Sequence, residues 1–166
     1  ESLAEIRAAL DRNGYAGVPI WITEMSDYSG TPVADPVLGA YPARSERDQA
    51  SSLARMATLA LAAGAERVFW VTLKEWHGWG GLPAGSYFDS VGLVHNPQNH
   101  GRSGNKPAFH TLRLLGNALS GFKPGDATAL DLPAPLRGFR FTRDDRTRFI
   151  LWSDATGAPA GNSARP

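Results

Sequence analysis

Glu24 is the residue best placed to do chemistry in this chain of 166 residues. It closes the run Val18-Pro19-Ile20-Trp21-Ile22-Thr23-Glu24-Met25, which is apolar and rich in strand formers up to the carboxylate. A carboxylate so placed can attack an anomeric carbon, or assist water in doing so. Further along, Glu75, Trp76, His77 and Trp79 stand among Gly78, Gly80, Gly81 and Gly85. Aromatic rings match the apolar C–H face of a sugar, and polar neighbours bond its hydroxyls. Trp70, Trp76, Trp79 and Tyr28 suit the first task; Thr23, Glu75, His77 and Asn96 suit the second. Each also has a plainer explanation. Glu24 can be a charge capping a strand end in water, and Trp70 can be core. Trp76 and Trp79 can form a cluster within their own loop, and Tyr28 can be loop packing.

Other chemistries find little support. The chain has no cysteine, which excludes a disulfide framework, a zinc–thiolate site and a thiol nucleophile. His95 and His100 are separated by Pro97 and do not match a helical ligand pair, so no metal site is expected there, and no cofactor. Gly101 to Lys106 lacks the spacing and the preceding strand of a phosphate loop, and no Gly-x-Ser-x-Gly elbow occurs. A formal net charge of +1 gives no global field for nucleic acid or an anionic membrane. The arginines from Arg137 to Arg148 are interrupted by Asp144 and Asp145, as on a solvated strand face. No apolar run reaches the roughly 20 residues of a membrane span. The chain opens on Glu1 without a signal peptide or Met, as a piece of a longer protein would; secreted and cytoplasmic placement both stay open.

The elements that must position these groups follow from periodicity. Ser2 to Glu5 forms a capping box before a helix on Leu3, Ile6 and Leu10, which ends at Asn13-Gly14. The near-continuous apolar run to Thr23 predicts a strand buried on both faces, as in a parallel sheet, with Pro19 near its start. Met25 to Arg44 is a long loop, of a length usually functional or disordered. Ser45 caps a helix to about Ala63, with Ala50, Leu53, Ala57, Ala60 and Leu61 inward and Arg47, Ser51, Arg55 and Thr58 outward. Arg67 to Leu73 is a second apolar strand, completing a right-handed βαβ unit whose two strand ends face the same way. Ligands bind at that end in parallel α/β folds. Tyr87 to Val94 predicts a short extended piece, and Asn96 to Asn105 a polar loop. Pro107 opens a helix through Leu119 with Ala108, Leu112, Leu115 and Leu119 inward. Beyond Gly121, Leu136 to Thr142 and Arg146 to Trp152 alternate around a turn, as a hairpin does.

These stretches carry a resemblance. Pro19-Ile20-Trp21-Ile22-Thr23-Glu24 resembles the seventh strand of the clan A glycoside hydrolases, families such as 5, 10 and 39, which ends on the catalytic nucleophile. Val68-Phe69-Trp70-Val71-Thr72 resembles their eighth strand, with its tryptophan under the sugar at the cleavage point. Gly92-Leu93-Val94 followed by Lys106-Pro107-Ala108-Phe109 resembles the approach to their last barrel helix, and the trailing hairpin a small appended β-domain. The resemblance implies an α/β chain: the C-terminal part of a (β/α)8 TIM barrel, over residues 1–121, followed by a β-strand segment, over 122–166. It implies a retaining glycosidase without a cofactor, acting on a carbohydrate, in which Glu24 is the nucleophile. The family's acid/base glutamate ends the fourth strand, for which this chain has no counterpart. Glu75 is the tempting substitute, but the family sets its pair across the barrel mouth. A non-catalytic carbohydrate-binding or structural module derived from the barrel is the alternative; a small open α/β domain of another function is a third.

Overall fold

The structure, a computed structural model, describes residues 2–35, 39–78, 81 and 83–154. It is mixed α/β, with four α-helices and several short sheets among the described residues, none of which closes into a barrel. The centre is the expected βαβ unit. Strand β1 (Ile20–Met25) and strand β2 (Ala65–Trp70) pair in parallel, joined through helix α2 (Glu46–Ala62). Ser45 caps α2: its hydroxyl accepts from Asp48 N–H, and the Asp48 carboxylate accepts in return from Ser45 N–H. The long connection after β1 folds against itself, with Gly30 and Arg44 exchanging backbone hydrogen bonds.

Helix α4 (Pro107–Leu119) lies against α2, and between them sits the core of Ala50, Leu53, Leu93 and Ala108, with Trp70, Phe109 and Leu112 packed on it. Thr58, expected outside, is wholly buried; its hydroxyl donates to the Ala54 carbonyl at 2.7 Å, so the polar group is satisfied within its own helix. After β2 the chain makes a short 3₁₀ turn (Tyr87–Asp89) and the two-residue strand β3 (Val94–His95). Helix α3 (Pro97–His100) and strand β4 (Gly104–Asn105) follow inside the stretch expected to be loop. They form because Asn96 caps α3, and β4 pairs back on β3.

The hairpin is present as β6 (Leu136–Arg143) and β7 (Arg146–Ser153), and a third strand, β5 (Ala127–Ala129), pairs on β6. Phe141 is buried and packs edge-on to Phe122, which closes this sheet against the end of the helical layer.

The burial expected of β1 is also overturned. Strand β1 is not buried on both faces: Ile20, Ile22 and Met25 turn inward, whereas Trp21 is 51% and Phe69 of β2 44% exposed. These two rings touch at 6.0 Å and Arg67 lies over Trp21. A two-stranded sheet has one helical layer here, and nothing among the described residues covers its other face. Helix α1 (Leu3–Arg12) keeps its capping box but buries no residue.

Candidate functional site

Pairing places Glu24 near the C-terminal end of β1. Ile22 stands opposite Val68 and Met25 opposite Trp70. Two residues of β1, Thr23 and Glu24, therefore face the single residue Phe69. Such an extra residue re-aims the side chains beside it. Met25 returns to the core, while Thr23 and Glu24 are both exposed.

The loops after the two strands are tied together over this end. Gln49, fully buried, donates through Nε2 to the carbonyls of Asp27, at 2.9 Å, and Val91, at 3.0 Å. Asp27 also pairs with Arg44 at 2.6 Å. Tyr28, Tyr41 and Tyr87 form a ring cluster, with Ser26 Oγ 3.1 Å from the Tyr87 hydroxyl. Burial pushes the Tyr87 phenol up. The carboxylate of Asp89 accepts from the N–H groups of Gly78 and Gly85, which shapes the glycine-rich loop from within.

Around this frame the expected sugar contacts part company. Trp70 turns into the core and donates its indole N–H to the Val91 carbonyl at 2.9 Å. Tyr28 is buried, its hydroxyl donating to the Pro42 carbonyl, so it acts in loop packing rather than as an open platform. Trp76 stacks on Phe88 with ring centres 5.3 Å apart. Trp79 lies outside the described residues. His77 pairs with Asn99 at 2.6 Å.

Glu75 needs a correction. Its carboxylate is not offered to a sugar hydroxyl but is 2% exposed, and its oxygens are taken up within the protein. Lys106, wholly buried, reaches Oε1 at 2.6 Å and also donates to the Ser90 carbonyl at 3.0 Å. Asn96 N–H donates to Oε2 at 3.1 Å, and His100 Nε2 lies 3.0 Å from the same oxygen. His95 stands beside them, with Nε2 3.1 Å from Glu46 Oε1 and Nδ1 3.8 Å from Glu75 Oε2. Burial lowers the His95 pKa against the raising influence of the two carboxylates. The fold thus gathers Glu75, His95, His100 and Lys106 from four segments, although the sequence offered only Glu75 and two histidines whose spacing matched no ligand pattern. The periodicity of a single element carries no such signal.

Compared with protein-family models, curated proteins and solved structures, the chain matches none.

Proposed function

We propose that this chain is the C-terminal part of a (β/α)8 retaining glycoside hydrolase and contributes its nucleophile, Glu24. The observation that carries the proposal is the exposed Glu24 carboxylate, turned out of β1 where its pairing with β2 skips a residue. Parallel strands place ligands at that end, and bulges commonly re-aim side chains beside active sites. The uncovered face bearing Trp21 and Phe69 supports the barrel reading as well. In a closed barrel the inward face of each strand is filled by side chains from the other strands.

In such an enzyme Glu24 attacks the anomeric carbon and the glycosidic bond breaks, leaving a glycosyl-enzyme ester. A second carboxyl group, from a strand outside this chain, protonates the leaving oxygen and then takes a proton from the water that releases the sugar. Glu75 is no candidate for that group, because Lys106 and Asn96 hold it in the interior.

The experiment is labelling of the intact protein with 2-deoxy-2-fluoro-glycosides, followed by mapping of the modified peptide. The expected result is an ester on Glu24 and, in Glu24→Gln, a loss of several orders of magnitude in aryl-glycoside turnover. Unchanged turnover in Glu24→Gln refutes the proposal and favours a non-catalytic carbohydrate-binding or structural module.

A further inference from the structure

We propose that Glu75, His95 and His100 form a binding site for a divalent transition-metal ion of the zinc type. Oε2 of Glu75, one ring nitrogen of His95 and one of His100 lie within 4.8 Å of one another. The three residues come from the loop after β2, the end of β3 and the end of α3, and no helical or strand repeat relates them.

The orientation of His95 is the decisive feature. Its Nε2 lies 3.1 Å from a Glu46 carboxylate oxygen, which leaves Nδ1 as the nitrogen turned to Glu75. That Nδ1 is buried and has no hydrogen-bond partner in the protein, although the whole residue is only 5% exposed. It faces Glu75 Oε2 at 3.8 Å. A carboxylate behind the far nitrogen of a ligating histidine is a recurring second layer of metal sites, orienting the ring and raising its basicity. Here Glu46 occupies that place and is itself held by Arg102 at 3.0 Å.

Glu75 is prepared in the same way. Lys106 occupies Oε1, so the carboxylate can ligate only through Oε2. His100 Nε2 already stands 3.0 Å from Oε2, on the side from which an ion would be shared. Ligand atoms around a tetrahedral zinc ion are about 3.3 Å apart, given bonds of about 2.0–2.1 Å. The His95–Glu75 separation therefore has to close by about half an ångström, and the two ring nitrogens, within 4.8 Å of each other, by up to about 1.5 Å. His100 supplies the freedom: its side chain is 42% exposed and it ends a single-turn helix. It also lines a cleft of about 340 Å³ with His77, Asp89 and Asn99, so the site borders open space on the His100 side.

The donor set selects the class of ion. Calcium and magnesium need about six oxygen ligands or more, and this site has one carboxylate oxygen. Two imidazoles and a carboxylate suit zinc, cobalt or nickel. A bound ion would join the loop after β2, β3 and α3 and, through Glu46, the start of α2. It would act as a clamp separate from Glu24.

The test uses the untagged full chain, stripped with a chelator and titrated with zinc against a chromophoric indicator, with cobalt absorption as a second readout. Stoichiometric binding is expected, with a zinc-dependent rise in Tm. His100→Ala, at a half-exposed position, should keep the circular dichroism of the parent and bind zinc more than about tenfold more weakly. Glu46→Gln should weaken binding by about 10- to 100-fold. His110→Ala, on the exposed side of α4, should bind as the parent does. Equal zinc affinity in the parent and His100→Ala overturns the proposal. So does an equal loss in His110→Ala, which would mark surface binding only. Binding by the parent without a tetrahedral cobalt spectrum overturns it too.

Discussion

Replacing Lys106 by Met removes the cation from a buried pair while keeping most of its volume. The Lys106 side chain is wholly buried and that of Glu75 is 1% exposed, with 2.6 Å between Nζ and Oε1. At an effective dielectric of about 20, charges about 3 Å apart attract by about 5–6 kcal/mol. Desolvation costs several kcal/mol per ion, so the pair as a whole contributes little net stability. Loss of one partner is another matter, because the remaining charge stays buried, at a cost of about 3–5 kcal/mol. In Lys106→Met, Glu75 keeps Asn96 N–H and His100 on Oε2, which places the loss near the low end of that interval. The Ser90 carbonyl also loses a donor, for about 1 kcal/mol. The sum is about 3–4 kcal/mol, which at a slope of about 2 kcal/mol per molar is about 1.5–2 M in the urea midpoint. Glu75→Met with Lys106→Met should cost less than Lys106→Met alone. It strands Asn96 N–H, at about 1–3 kcal/mol, while the Ser90 carbonyl still accepts from Ser29 N–H and Gln49 Nε2. The assay is urea unfolding of the full chain in chelator-treated buffer, read by tryptophan fluorescence as a double-mutant cycle. A midpoint shift under about 0.5 M for Lys106→Met, or a double variant as unstable as the summed singles, would refute this account of the pair.

Ser45→Ala should destabilise α2 by about 1 kcal/mol in thermal unfolding at neutral pH, because it removes the cap on Asp48 N–H. The Ser45 hydroxyl and N–H hold the Asp48 carboxyl below its ordinary pKa. Their contribution is therefore complete above about pH 4 and disappears as pH falls through the depressed value, so Ser45→Ala should flatten that acid limb; an unaltered limb contradicts the assignment. Gly92→Ala should cost about 1–3 kcal/mol in denaturant unfolding. A Cβ at that position would stand 2.7 Å from the Glu75 Cα and the Lys74 carbonyl carbon, both backbone atoms that cannot swing aside. A neutral effect would show that the two segments can separate without loss.

Much of the scaffold was legible from local pattern. Ser2 and Ser45 marked helix starts, Pro107 opened α4, and the alternation from Leu136 to Trp152 marked the hairpin. Each depends on residues within a few positions of one another, where capping, φ restriction and side-chain period act directly. The strand that carries Glu24 was legible for the same reason, but its two register shifts against β2 were not, because register belongs to the pair. Burial of the run from Ile20 to Ile22 was misjudged on one face: composition reports that a face is apolar, not what lies against it. The same limit governs the site. Glu24 could be named from sequence as a carboxylate at a strand end, while the alternative uses of Trp70 and Tyr28, platform or packing, were decided by the elements around them. The Glu75–His95–His100–Lys106 cluster was decided by tertiary structure alone. Its members are up to 31 positions apart along the chain, and their chemistry depends on distances of about 3 Å that only the packing of β3, α3 and α4 on the β2 loop creates.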